Sequence, residues 1–230
     1  TTLRSFLKFL YIAGYHEKDL SGDVARLRQP HYPKIPSTWR PDDVRRLLAS
    51  VDRGNPSGKR DYAILLIVSR LGMRVKDIRE LRLSNLNWAT RTIEIVQHKT
   101  KQSVSYPILD DIGWAIIDYL KNGRPKTESP HLFVRHNAPF EAFGACANLH
   151  HIIAGYARLA GIDLRTGASR GMHSLRHTLA STLLEQGTPL PVISEILGHV
   201  STLSTNVYLK VDFEHLRACA LDPDEVFCHG

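Results

Sequence analysis

The chain has 230 residues, 43% of them hydrophobic, which is enough for one large domain or for one domain with part of another. Its net charge of +7 suits a polyanionic partner. The three scattered cysteines, Cys146, Cys219 and Cys228, exclude a disulfide framework or a zinc ribbon. No apolar stretch is long enough to cross a membrane, so we expect a cytoplasmic protein without a membrane partner.

The N-terminal segment begins with one apolar stripe at helical spacing, formed by Leu3, Phe6, Leu7, Leu10 and Tyr11. A single stripe needs partners to bury it, so we interpret residues 1–28 as the last helix or two of a separate helical domain. Residues 29–37 contain three prolines and no periodicity, which predicts an extended linker.

The next segment predicts two helices. Thr38 is the expected N-cap of the first, whose buried stripe is Val44, Leu47 and Leu48. After a turn at residues 54–58, a strongly apolar helix is predicted from about Lys59 to Leu71.

Gly72 is a suitable residue to end that apolar helix, and Arg74 follows at the joint with another helix beginning near Val75. A joint between helices is a fixed platform, which suits an arginine that binds an anion.

The hydrophobic period changes to two in Thr92–Val96 and Ser103–Pro107, which predicts a β-hairpin with a polar turn at residues 98–102. Lys99 lies in this turn. Farther on, we predict helices at residues 110–121 and 147–160, and a strand at residues 131–134.

Residues 171–208 contain two short helical runs, with His173 and Arg176 three residues apart. On a helix this spacing places both side chains on one face, where an imidazole and a guanidinium can bind an oxyanion. We exclude a metal site because a zinc protease would need glutamate where Ser174 stands. The pair His150 and His151 has no third ligand nearby and is expected to face solvent.

These motifs resemble a known signature. The run from His173 to His177, then Leu-Gly-His199, then Tyr208 nine residues on, resembles the C-terminal signature of the tyrosine recombinases, or phage integrase family. Arg74 lies in a run similar to the first-arginine box of that family. Lys99, eight residues before Pro107, looks like its hairpin lysine. The resemblance covers roughly residues 37–210.

The resemblance implies a mainly α fold with a small antiparallel β-sheet, an α+β class, with the catalytic domain at residues 38–210. Residues 1–28 would then be a remnant of the core-binding domain. It also implies a site-specific DNA recombinase or integrase that cleaves and rejoins strands through a 3′-phosphotyrosine, without metal or cofactor. The implied partners are double-stranded DNA and copies of the same chain, four of them on two duplexes, in a nucleoid-associated protein.

The implied roles are specific. Tyr208 is the nucleophile and Lys99 the general acid, with Lys101 as the second candidate. The residues that stabilise or move charge at the phosphate are Arg74, His173, Arg176 and His199. Two positions are supporting: Asp77, a carboxylate expected to orient Arg74 or His173 where the family most often has glutamate, and His177, expected to give structural support.

The alternatives are a non-catalytic helix-turn-helix DNA-binding protein, which leaves Lys99 and Arg74 unexplained, and strand cleavage like that of type IB topoisomerases.

Residues 211–230 form a distinct tail, with five acidic residues against one arginine. Their net charge is −4, so the preceding residues carry +11. An apolar stripe in this tail predicts a helix, which would either fold back on its own domain or, as its charge favours and the resemblance implies, dock on a neighbouring subunit. Its members are Phe213, Leu216, Ala220 and Leu221.

Overall fold

The computed structural model describes residues 2–24, 37–144, 147, 149–164 and 171–198. The chain divides into two compact units, Thr1–Lys34 and Ile35–Gly230, and the division falls within the predicted linker. In the first unit, helix α1 (Thr2–Ile12) has no buried residue. Several of its larger apolar side chains are exposed, among them Leu3, Phe6, Phe9 and Ile12.

The second unit is mainly helical, as predicted, and its sheet is small and antiparallel with the order β1-β2-β3. In chain order its elements are α2 (Pro41–Ala49), α3 (Pro56–Leu71), α4 (Val75–Glu80), a 3-10 turn (Leu83–Asn85), β1 (Leu86–Asn87), β2 (Thr92–Val96), β3 (Ser103–Pro107), α5 (Asp110–Asn122), α6 (His150–Leu159), α7 (Met172–Glu185) and α8 (Leu190–Ile196). Within the described ranges, no helix is both long and apolar enough to cross a membrane.

Helix α3 is the centre of the core. Its residues from Ala63 to Val68 are all buried, and it packs against α5 and α7. The helix starts earlier than predicted because the Asn55 side chain accepts a hydrogen bond from Gly58 N at 2.6 Å, and Pro56 suits the first helical position. It ends, as predicted, at Gly72, whose φ of 61° is left-handed.

The predicted N-cap of α2 was wrong. Arg40, not Thr38, occupies that position, without a side-chain bond, and Pro41 begins the helix. The segment is instead fixed by Trp39, which is 3% exposed. Its backbone N–H donates to Thr178 Oγ1 at 2.8 Å and its indole Nε1–H donates to Ser174 Oγ at 2.6 Å. Trp39 therefore anchors α7, the helix that carries His173 and Arg176.

The predicted hairpin is present, and its register runs from Thr92 opposite Pro107 to Val96 opposite Ser103. The two-residue strand β1 was not predicted. The strand predicted at residues 131–134 was wrong, because this run makes only isolated bridges, from His131 to Arg82 and from Val134 to Ala142. Its three apolar residues, 132–134, are all fully buried, so they fill the core and do not alternate as in a half-buried strand. Helix α6 begins at His150, later than predicted.

Candidate active site

Arg74 occupies the N-cap of α4, directly after the end of α3. Its guanidinium donates from Nη1 to Gln97 Oε1 at 2.6 Å and from Nη2 to Gly198 O at 3.2 Å. Gln97 follows β2, and Gly198 lies two residues after the end of α8. One half-buried arginine therefore joins the helix joint, the hairpin and the glycine of the Leu-Gly-His motif.

Arg176 lies on α7 and is 1% exposed. Its Nη1 donates to Gly72 O and its Nη2 donates to Leu197 O at 2.6 Å. A Cβ at position 72 would meet the Leu197 side chain at 2.8 Å and the Leu179 side chain at 3.1 Å. Glycine is thus required twice at position 72, by its positive φ and by the close approach of α7 and α8.

His173 and His177 are one turn apart on α7, and their rings meet edge to face with centroids 4.5 Å apart. His173 is exposed, yet desolvation by the surrounding protein is the largest cause that lowers its pKa, and the positive charges of Arg176, Arg74 and Lys99 lower it further. Burial, followed by the charge of Arg176 and by His173 when that ring is protonated, lowers the pKa of His177 to about 4. Both rings are therefore neutral near pH 7, and a neutral imidazole can accept a proton.

Three positively charged residues from different parts of the chain lower the pKa of His173. Arg176 comes from its own helix, Arg74 from the α3–α4 joint and Lys99 from the exposed hairpin turn. Burial raises the pKa of Tyr106, while its hydrogen bond from Gln97 and the charges of the same two arginines act in the opposite direction. The structure thus brings Arg74, Lys99, His173 and Arg176 into one electropositive region.

Asp77 contacts the hairpin. Its Oδ1 accepts a hydrogen bond from His98 N at 2.8 Å, while Oδ2 is buried without a hydrogen-bond partner in the described part of the chain. The sequence suggested that this carboxylate orients Arg74 or His173. In the structure it holds the turn that contains Lys99, and Arg74 is held by Gln97.

A cleft of about 570 Å³ lies between α4 and the hairpin. Its basic lining residues are Lys76, Arg79, Arg82, His98 and Lys101, and its acidic ones are Asp77 and Glu80. Lysine and arginine side chains outnumber the acidic ones in this lining, so the positive region extends beyond Arg74.

Two of the predicted site residues, His199 and Tyr208, lie outside the described residues, as do Cys146 and the whole tail at 211–230. In the described ranges, no three His, Cys, Asp or Glu side chains are placed to hold a metal ion. His150 and His151 are both exposed, as expected.

The sequence did not identify Gln97 or Trp39 as important. Gln97 had a usable signal, because it continues the inward-facing positions of Ile93 and Ile95 with a polar residue. A polar side chain at a core-facing position of a strand pattern indicates a specific buried partner. Trp39 had no such signal, since its partners lie more than 130 residues away in the chain.

Proteins similar to this chain include two putative integrase/recombinases of Sinorhizobium fredii. One, y4gC, is 38% identical over 189 residues, which cover 82% of this chain and 96% of that protein. The other, y4rA, is 37% identical over 221 residues, which cover 96% of this chain and 53% of y4rA. The chain thus spans about half the length of y4rA.

The fold is also similar to solved structures. A XerH site-specific recombinase bound to a palindromic difH substrate matches with a TM-score of 0.68 at 20% identity, over 86% of this chain and 56% of that one. At this identity the likeness concerns the fold alone. A sequence model described as the phage integrase family matches residues 38–215, which is more than half of the chain. The chain belongs to the phage integrase family.

Proposed function

We propose that this chain is a site-specific DNA recombinase or integrase that cleaves and rejoins DNA through a 3′-phosphotyrosine. One observation carries the proposal: Arg74 and Arg176 donate to the consecutive carbonyls of Gly198 and Leu197. The helix of Arg176 also carries His173, and Gln97 Oε1 links Arg74 to the turn of Lys99. A phosphodiester is anionic, so its attack by a nucleophile needs donors that stabilise the additional charge of the transition state. Membership of the phage integrase family supports the same chemistry.

In the proposed reaction, the Tyr208 hydroxyl oxygen attacks phosphorus and the bond from phosphorus to the 5′-oxygen breaks. His173 accepts the phenol proton, which its lowered pKa allows near neutral pH. Arg74 and Arg176 stabilise the non-bridging oxygens, and Lys99 donates a proton to the departing 5′-oxygen. His199 donates a further hydrogen bond. The phosphotyrosine keeps the bond energy, so a 5′-hydroxyl of another strand can reverse the step.

Lys99 is preferred over Lys101 as the general acid. The charge of Lys99 acts on the pKa of His173, whereas Lys101 lines the cleft beside α4. Asp77 and His177 have supporting roles in this proposal. Asp77 holds the hairpin turn through His98 N, and the His177 ring packs against the His173 ring.

The partners in this proposal are double-stranded DNA and further copies of the chain, four on two duplexes. The positive charge of residues 1–210 favours DNA, while the tail with its net charge of −4 favours a basic protein surface. The tail is therefore the segment that we expect to dock on the neighbouring subunit.

The test is covalent capture. Wild-type protein is incubated with sheared host DNA, complexes that survive denaturation are isolated, and the joined DNA ends are sequenced. We expect protein on 3′ ends, enriched at one sequence. Tyr208→Phe deletes only the hydroxyl, so it should bind DNA and form no covalent complex.

Each alternative gives a different result. A non-catalytic helix-turn-helix protein would join no DNA. A topoisomerase-like enzyme would form the 3′ complex and relax supercoiled DNA, without recombining two copies of the captured site. Covalent 3′ ends in Tyr208→Phe would assign the nucleophile to another residue.

A further inference from the structure

Gln97 is a fully buried amide beside the proposed active site, with 0% exposure. A buried amide is unfavourable unless its hydrogen-bonding groups are satisfied. Here Oε1 accepts from Arg74 Nη1 at 2.6 Å and from Thr100 Oγ1 at 2.8 Å, and Nε2 donates to Tyr106 Oη at 2.9 Å. Three of the four hydrogen bonds that a glutamine can make are therefore formed within the protein.

The amide also packs against Gly198, where a Cβ would overlap Gln97. Gly198 has a φ of 60°, and its carbonyl accepts the second hydrogen bond of Arg74. One edge of the guanidinium is thus held between the glutamine amide and the glycine carbonyl. These two bonds use two of the five N–H donors of an arginine.

The same amide oxygen is bonded to the hairpin turn. Thr100 follows Lys99 directly, and its hydroxyl donates to the oxygen that Arg74 binds. The arginine and the residue next to Lys99 are therefore bonded to the same atom, Gln97 Oε1, which links the guanidinium to the lysine turn.

We propose that Gln97 is a positioning residue that aims the Arg74 guanidinium and holds it in register with the Lys99 turn, through its shared amide oxygen. This inference rests on the proposed recombinase function. A neutral amide is suited to the task because it orients the guanidinium without cancelling its charge. A carboxylate there would compete with the phosphate for Arg74, and an apolar side chain would leave the guanidinium without an orienting acceptor.

The test compares three variants on a nicked duplex that carries the site recovered by covalent capture. Gln97→Met keeps the length and removes both hydrogen-bonding groups. Gln97→Glu keeps the shape and the acceptor for Arg74 but adds a charge. The matched control is Tyr106→Phe, which removes the Nε2 contact and leaves the bond between Oε1 and Arg74. DNA binding, thermal unfolding and the single-turnover rate of covalent complex formation are measured for each.

We expect both Gln97 variants to bind DNA within about 3-fold of wild type and to form the covalent complex at least about 30-fold more slowly, since an interaction that acts at the transition state affects the rate more than binding. Tyr106→Phe should be slower by less than about 3-fold, because a single neutral hydrogen bond away from the arginine is lost.

A second substrate identifies the mechanism. A methylphosphonate at the cleaved position has no negative charge, so it needs the arginine less. The deficits of both Gln97 variants should shrink to below about 5-fold on this substrate, whereas a general packing defect would be equally severe on both substrates. Thermal unfolding shows whether each variant is folded, and Gln97→Glu preserves the test if Gln97→Met does not fold.

Three outcomes would overturn the positioning role: cleavage by the Gln97 variants within about 3-fold of wild type, an equal loss in Tyr106→Phe, or deficits that are unchanged on the methylphosphonate. A wild-type protein that forms no covalent complex would overturn the recombinase assignment, and this inference with it.

Discussion

Replacing each arginine of the site by lysine should separate two roles that the sequence treats alike. Arg176 is 1% exposed, and its two terminal nitrogens bond to carbonyl oxygens on different segments, Gly72 and Leu197. A lysine ammonium is a compact charge without the planar fork of a guanidinium, so it cannot reproduce both of these bonds in their present geometry. A hydrogen bond to a charged group contributes about 1.5–3 kcal/mol, so Arg176→Lys should lower the free energy of unfolding by about 2 kcal/mol.

Arg74 should matter less for stability, because it is only half-buried and because its main acceptor, Gln97 Oε1, also accepts a hydrogen bond from another residue. Gln97 Oε1 still receives the Thr100 hydroxyl when the guanidinium is absent. Arg74→Lys should therefore change the free energy of unfolding by less than about 1 kcal/mol. For a unit of this size, these losses of stability correspond to a decrease in Tm of about 4–8 °C for Arg176→Lys and of about 2–4 °C or less for Arg74→Lys.

Both substitutions should nevertheless slow cleavage by about 100- to 1000-fold, or about 2.7–4 kcal/mol of transition-state stabilisation, because an ammonium cannot donate paired hydrogen bonds to a phosphate. The measurements are denaturant unfolding and single-turnover covalent complex formation, at a temperature where both variants are folded. Equal losses of stability would refute the distinction that we draw from burial. Near-normal cleavage by both variants would mean that the arginines serve binding or folding alone.

Three further predictions follow from the same region. Lys99→Ala should form little covalent complex on ordinary DNA and should recover on DNA whose bridging 5′-oxygen is sulfur, because a thiolate leaves without a proton; recovery by Lys101→Ala and not by Lys99→Ala would transfer the acid to Lys101. The pKa of His177 falls from 6.5 to about 4 on folding, so the unfolded chain binds more protons in this range and stability should fall as pH decreases from about 6.5 to 4. His177→Gln should flatten part of that fall in denaturant unfolding, and an unchanged slope would contradict the assignment. Deleting residues 212–230 should preserve binding to one DNA site but abolish both cooperative binding to two sites and recombination. Binding is measured by gel shift and recombination by an assay on two copies of the site. Wild-type cooperativity in the deletion variant would exclude docking of the tail on a neighbouring subunit.

The sequence predicted correctly those features that depend on local chemistry. The end of α3 at Gly72 follows from the freedom of glycine to adopt positive φ, and the β2–β3 hairpin follows from alternation over short runs. The position of Arg74 at a joint between helices followed from the same local signals. Where local signals competed, the prediction failed, as at Thr38, where Pro41 and the anchoring of Trp39 decided the start of α2.

The sequence by itself determined the family, the fold class and the residue types available for phosphate chemistry, because motif spacing and periodicity are written along the chain. Only the tertiary structure decided which residues are neighbours. Gln97 meets Arg74 across 23 residues, and Arg176 meets Gly72 across 104. Such contacts form only when α7 and the hairpin pack against the end of α3, and burial at that junction makes Arg176 a structural element as well as a proposed catalytic one. The physical reason is that the burial of a side chain and the identity of its hydrogen-bond partners depend on which surfaces pack together, and no local pattern specifies that.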